Sequence, residues 1–524
     1  MTTTRRDFLR SSGLAAAYLG IPAWLSGCAP ASPQPVAEPL GWADDATATL
    51  AGSDPALLHL LQRLTYGPAP GDLAHANQLG AAALVDEQLH PERIDDSALE
   101  RRLAGFDTLT MSSAALIERF GRQGEGPQEI MRQLQQASLL RAVYSKRQLQ
   151  EIMVDVWSNH LNIYLGKGQV KWLKTADDRD VIRPHALGKF RDLLLASAKS
   201  PAMLVYLDNV ENTAPGARQG KGGLNENYAR ELLELHTLGA DASYDHDDII
   251  AVARVFTGWS IARPQEQNAG SFVFRPRLHD SAAKQIDALG LALPAGGGVS
   301  DGETLLARLA SDPRTAKRIA HKLCARFVGD APPAALVERA AQTYLASDTD
   351  IRATLELIFR SEEFAAAAPK LKLPTHALAS MLRALGAQIE PSPKLVAVLQ
   401  QLGQPFFGWP APDGYPQVGA AWINTGGMLA RWNVAFALAE GRGPGVAADL
   451  RALLPIQAQP TAAGLVDAAS AALLHQPIGS AARSALVTYA GGAAPDKPLD
   501  AAALDRVLPG VVGLVLASPL FQLY

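Results

Sequence analysis

The stretch LNENYARELLELHTLG, residues 224–239, sets Glu226, Glu231 and Glu234 among Asn225, Asn227, Tyr228, Arg230 and His236. Neighbouring carboxylates can divide general-acid and general-base roles when burial and a nearby cation push their proton affinities apart. On a helical wheel Leu224, Tyr228, Leu232 and Leu235 share one face, and Asn227, Arg230, Glu231 and Glu234 occupy an arc away from it. Glu226 precedes Arg230 by four residues, and Arg230 precedes Glu234 by four. Helical pairs at that spacing contribute roughly 0.2–0.5 kcal/mol each. Glu231 has no opposite charge four residues away in the sequence. Two readings of the row are open: a solvated face laced by ion pairs, or a polar network lining a cleft.

Other polar residues could join it. In EIMVDVWSNHLNIY, Met153, Trp157, Leu161 and Tyr164 form one stripe, Asp155 and Asn159 lie together on another side, and His160 is adjacent. His279 and Asp280 sit at a bend in RLHDSAAK, with Lys284 nearby. Six of the eleven histidines fall between positions 160 and 321: His160, His185, His236, His246, His279 and His321. The candidate acid–base residues are therefore Glu226, Glu231, Glu234, His160 and His279, with His236 as a further proton carrier. Arg230, Asn159, Asn227, Trp259 and Asp280 are candidate substrate contacts. Trp157, Trp259, Trp409 and Trp422 could line a cleft or simply pack the core.

Several chemistries lack their motifs. There is no HExxH and no CxxC, and His236 is not placed as the Glu-x-x-His of di-metal carboxylate bundles. A metal site built from Glu231 or Glu234 with His160 and His279 stays open, and no cofactor is named by the sequence. No GxSxG elbow and no GxxxxGK[ST] loop is present. The net charge of −4 and pI near 6.3 give no nucleic-acid footprint.

The elements that must position these groups are mostly helical. LLHLLQRLTYG reads as a short helix stopped by Gly67 and Pro68. The long pattern from Gln128 to Leu165 divides at Ser145, where Gln148 three residues on completes a capping-box signal. Pro201 opens another helix, and Asp245 with Asp248 marks the start of DHDDIIAVARVFTGW. The alternation in GSFVFRPRLHDSAAKQIDALGLAL predicts a small hairpin. GQPFFGWPAPDGYPQVGAAWINTGGML reads as one long loop. The expected class is mainly α: a multi-helix orthogonal bundle with a small β-hairpin insertion.

The beginning of the chain reads as an address. Arg5 and Arg6 precede Phe8, Leu9 and a short apolar run, too short to span a bilayer comfortably. TRRDFL resembles a twin-arginine export signal, and LSGC, residues 25–28, resembles a lipobox that would place lipid on Cys28. The first 27 residues carry a net charge of +2. ASPQPVAEP then reads as a Pro-rich tether. The expected organisation is a signal peptide at 1–27, a tether at 28–50, a helical domain at 51–440 with a possible break near 300, and an Ala-rich helical segment at 441–524. The expected partners are the export machinery and, through lipid, the membrane. The only other cysteine, Cys324, sits in a helical pattern as a small hydrophobe.

LLQRLTYGP (60–68), RQLQEIMVDVWSNHLNIY (147–164), NENYARELLELHTLG (225–239), ARVFTGW (253–259), FRPRLHD (274–280) and GQPFFGWP together resemble the bacterial family known as domain of unknown function 1800. The resemblance covers roughly residues 55 to 440. One departure is Val156, where the family pattern more often has Phe before Trp; that changes packing rather than chemistry. The resemblance implies an exported, mainly helical protein, often encoded beside a second exported family, and no established activity. Two functions follow as expectations: an extracytoplasmic, hydrolase-like enzyme using the Glu/His cluster, or a non-catalytic envelope lipoprotein that assembles with a partner, such as that co-encoded family. A metal- or cofactor-dependent redox role is a third.

Overall fold

The computed structural model describes residues 54–121, 126–217, 223–492 and 494–524. The signal, Cys28 and the tether lie outside the described residues. Among the described residues helices dominate, and the strands form three two-stranded antiparallel sheets. The hairpin region holds two of these sheets. Trp259–Ile261 pairs with Phe272–Phe274, and Lys284–Ile286 pairs with Leu291–Leu293. His279 and Asp280 lie between the two.

Local chemistry sets the helix starts. Asp245 accepts the Asp248 N–H while the Asp248 side chain accepts the Asp245 N–H, a full capping box. The division near Ser145 also exists, between helices Gly126–Tyr144 and Gln148–His160, but no capping box makes it. The Ser145 hydroxyl instead donates to Asp96 and accepts the Arg147 N–H. The Gln148 amide accepts the Tyr66 N–H and donates to Ala142 and Ser145 carbonyls. Long-range polar contacts hold the corner that a local motif was expected to hold. The long loop ends sooner than its composition implies: Asn424 caps a helix over Thr425–Ala439.

The stretch at 224–239 is not a plain α-helix. Asn227–Glu231 is α-helical, and Leu232–His236 widens into a π-helical turn. The Thr237 hydroxyl donates to the Leu232 carbonyl at 2.6 Å, five residues back. The wider turn rotates the side chains beyond it. Tyr228 and Leu232 are buried as the wheel required, but Leu233 and His236 take the inward position expected of Leu235.

One buried apolar cluster runs through the chain from Leu57 to Phe521. Fully burying a large side chain in it contributes roughly 1.5–3 kcal/mol. Helix Gln148–His160 passes through this core, with Leu149, Met153, Trp157 and the following Leu161 fully buried. Its opposite stripe is polar: Gln148, Glu151, Asp155, Ser158, Asn159 and then Asn162. A polar stripe inside a core needs partners for each group, because an unpaired buried polar atom costs about 1–3 kcal/mol.

Candidate functional site

Four of those six polar residues are committed. Gln148 holds the corner at Ser145. Glu151 receives Arg183 in two-pronged fashion, at 2.9 and 3.0 Å, and Arg183 also donates to Asp178 at 2.7 Å. Asn159 pairs with the Tyr415 backbone. Asn162 donates to the carbonyls of Trp409 and Ala411, at 3.0 and 2.7 Å. The long loop is thus clamped to the helix.

Asp155 and Ser158 are the remaining two. No described residue donates a hydrogen bond to the Asp155 carboxylate or forms an ion pair with it, and the buried Ser158 Oγ has no partner. Asp155 lines three small cavities of about 30, 20 and 20 Å³ open to the centre of a water molecule. About 10–15 Å³ of such space holds one water, so each is large enough to admit one. Asp155 is half-buried, and its accessible surface lines these cavities. Burial pushes its proton affinity up to about 6, only partly offset by the charge of Arg326. A carboxylate there exchanges protons near neutrality, as a general base or acid requires.

Tyr66, His376, Arg326 and Tyr524 surround the same space. The Tyr66 and His376 rings meet edge-on at 5.3 Å, and His376 lies 4.6 Å from the Tyr524 ring. The buried His376 Nε2 has no hydrogen-bond partner. Burial, then the charges of Arg326 and Lys372, hold His376 well below the usual imidazole range.

A larger pocket of about 570 Å³, of ligand size, opens near the same helix. Thr65 and Gln148 line it, while Tyr66, Glu151 and Asp155 line the inner cavities. Residues 148, 151 and 155 share one helix face, and the Tyr66 N–H donates to Gln148. That contact stands in the wall between the outer pocket and the Asp155 chambers.

The structure distributes the sequence-chosen residues over three places. Arg230 bridges Glu226 at 3.2 Å and Glu234 at 3.6 Å, and His246 approaches Glu226 at 3.6 Å. This row is about one-third exposed. Asn227 donates to the Leu207 carbonyl and to Asp208, fixing the start of the helix. Glu231 faces another segment of the fold: its charge, with that of Asp413, adds to the burial that raises the Tyr206 hydroxyl.

His160 lies on the inner side of the same stretch. Its Nε2–H donates to the His236 carbonyl at 3.1 Å, and its ring packs against Trp157, Phe190 and His236. Burial drives His236 down to about 3, with Arg318 adding to the effect, and holds His160 well below the usual range.

His279 belongs to a third cluster. Its Nδ1–H donates to the Thr257 carbonyl at 2.8 Å, and its Nε2 lies 3.6 Å from Asp301, which also pairs with the buried Lys284 at 2.8 Å. Asp280 accepts from Arg254 at 2.7 Å. Trp259 is a fully buried core ring, packed edge-on against Phe256 and Phe272. Trp157 is likewise buried. The half-buried Trp409 and Trp422 flank the buried Tyr415 in an aromatic row, at 5.0 and 6.1 Å between neighbours.

None of Glu226, Glu231, Glu234, His160 and His279 lines the five cavities described for this fold, three of which meet at Asp155. Among the described residues no group of three or more His, Cys, Asp or Glu is placed to hold a metal ion. No described helix is long and apolar enough to cross a membrane. Asp155 had a signal in the sequence: a polar residue every third or fourth position down a helix whose other sides are apolar.

A protein-family model described as "Protein of unknown function (DUF1800)" matches residues 59–523. No curated protein and no solved structure matches the chain.

Proposed function

The chain belongs to the DUF1800 family, and from that premise we propose that it is an exported, lipid-anchored enzyme of the cell envelope, hydrolase-like, with Asp155 as its acid–base group. Export and anchoring are supported by Arg5–Arg6 and by the lipobox-like Leu25–Cys28. The observation that carries catalysis is the Asp155 carboxylate. It is shared by three cavities large enough for water and lacks a donor among the described residues, and burial lifts it to about 6.

In this reading Asp155 takes a proton from a cavity water as the water oxygen bonds to an electrophilic centre. The bond to the leaving group breaks, and the proton passes on to that group. The outer pocket holds the body of the substrate, and its reacting group reaches Asp155 when the Tyr66–Gln148 contact in the intervening wall opens. The Glu226–Arg230–Glu234 row shapes the fold and its surface rather than reacting.

The test compares the full chain with Asp155→Asn on ester, amide and glycoside substrates. Hydrolysis by the parent that the folded variant has lost supports the reading. An inert parent, or a variant of equal activity, sinks it. Anchoring is tested separately: Cys28→Ser should lose fatty-acid label and leave the membrane fraction.

One observation favours the second reading, a non-catalytic lipoprotein acting by assembly. Val418, Ile423, Leu429 and Trp432 are exposed large apolar residues within a short segment. Its only charged residue between 418 and 432, Arg431, is buried. A cellular phenotype lost in Leu429→Asp and kept in Asp155→Asn would select that reading.

A further inference from the structure

Four cations lie beneath the segment that pairs with residues 370–372. Leu371 and Leu523 form an antiparallel bridge, with the Lys370 N–H donating to Tyr524 at 2.8 Å and the reverse bond at 2.9 Å. Under it, Arg63 is fully buried and donates only to the Ala368 carbonyl; its Nε and Nη1 have no partner. Arg431, 2 % exposed, reaches the Lys372 carbonyl and the Gln522 amide, and its Nη2 has no partner. Lys372 donates to the Ser380 hydroxyl at 2.8 Å. Arg326 donates to the Tyr524 hydroxyl at 2.7 Å.

No described carboxylate forms an ion pair with any of the four. Buried charges are ordinarily paired, because an uncompensated one is strongly destabilising. Burial accordingly lowers Arg63 and Arg431 to about 10 and Lys372 to about 7. Two of these cations converge on one ring: the Arg63 and Arg326 guanidiniums lie 4.9 and 5.2 Å from the centre of Tyr524. Beside that ring is the chamber lined by Arg326, Lys370, His376, Tyr66, Tyr524 and Asp155. Lys370 is paired with Asp330 at 2.9 Å. His376 is 5 % exposed and lines the chamber, and its Nε2 is unpartnered.

We infer that this chamber is a binding site for a small oxyanion, the carboxylate end of the enzyme's substrate being the group that fits it. Arg326 supplies the charge, and His376 Nε2–H and the Tyr66 hydroxyl supply donors. The chamber is small, with about 20 Å³ open to the centre of a water molecule, so a single carboxylate head is the largest anion assigned to it. A bound anion would give Arg326, the one of the four cations that lines the chamber, a second countercharge beside the Asp155 carboxylate in its wall. The binding stands on Arg326 and the unpartnered His376 Nε2, which line the chamber; only its assignment to a substrate rests on the reading of Asp155 as the acid–base group.

The experiment titrates the full chain with ¹³C-labelled acetate and, separately, with inorganic phosphate. Chloride at matched ionic strength is the control. Saturable broadening of the acetate signal, with a rise in melting temperature beyond that in chloride, is expected. His376→Phe and Arg326→Gln should each weaken acetate binding about tenfold or more, the loss typical of a charge-assisted hydrogen bond. Saturation by phosphate alone moves the assignment from carboxylate to phosphate and overturns the fit of a carboxylate head. No saturable effect of either anion on the parent protein overturns the site outright, whatever the variants do. Binding is read without turnover. Acetate binding by a parent that hydrolyses nothing leaves this site standing while the catalytic reading fails, and the converse result separates them the other way.

Discussion

The Asn159 side chain meets the Tyr415 backbone in both directions: its Nδ2 donates to the Tyr415 carbonyl at 3.0 Å and its Oδ1 accepts the Tyr415 N–H at 2.7 Å. An amide here does what a neighbouring strand would do, and it holds the loop that closes one side of the Asp155 chambers. Gly414 makes the approach possible. Its φ is +73°, and a Cβ there would lie 2.3 Å from the Asn159 carbonyl oxygen. Asn159→Ala strands both Tyr415 groups and is expected to cost about 1–3 kcal/mol. Gly414→Ala should cost at least as much. Urea unfolding of each variant checks this, and the loop should become the first region to exchange its amide protons in deuterium.

Asp155→Asn should stabilise the protein near neutral pH while abolishing turnover. The carboxyl binds its proton more tightly folded than unfolded, so between its unfolded value near 4 and about 6 the native state carries the extra proton. Its contribution to stability is present below that window and is lost as pH rises through it. Removing the ionisable group should therefore return up to about 3 kcal/mol at pH 7, less for a group with residual water contact, and almost nothing at pH 4. Melting curves at the two pH values decide it; equal shifts at both would contradict a raised carboxyl.

His160, His236 and His376 act in the opposite sense. All three are buried and held below the usual imidazole range, His236 at about 3. Between their folded values and about 6.5 the unfolded chain binds the extra protons, so stability is full above that window and falls as pH drops through it. Three histidines outweigh one aspartate. The urea midpoint should fall from about pH 7 to pH 5, and His236→Gln should flatten the slope.

Arg230→Ala should cost no more than about 1 kcal/mol, because its partners are part-exposed and screened. Arg183→Ala should cost about 3–5 kcal/mol, since it leaves Glu151 buried without its cation and Asp178 with only Arg141, at 3.5 Å. Denaturation midpoints of the two variants test the contrast. A large loss at Arg230 would return the glutamate row to the groups buried for a purpose.

Periodicity carried much of this fold. The helices, their division near Ser145, the Asp245 cap and the Glu226–Arg230–Glu234 bridge all follow from spacing within a few residues. The hairpin region was legible as strand, though it makes two small sheets rather than one. Where the sequence misled, the cause was a contact between distant positions or a change of helical period. Leu235 lost its inward place to His236 because a π turn changes the period. Asp155 looked ordinary beside Asn159 until four of the other five polar residues of its stripe proved to have partners while it and Ser158 did not. The cation cluster draws on positions 63, 326, 372 and 431, and no local window contains two adjacent members of it.

The π turn at Leu232–His236 has a consequence for how this segment can be edited. Such a turn is what an α-helix becomes when it accommodates one residue more than its hydrogen-bond ladder can hold. The segment therefore carries a spare residue. Deleting one between Leu232 and Leu235 would let the ladder close in α register while the later side chains keep their directions, because His236 would then hold the inward position that the wheel gives to residue 235. His236 would stay in the core, and His160 would keep the carbonyl it now meets. Shortening the chain by one residue here should be tolerated better than lengthening it by one, which would turn every later side chain by about 100°.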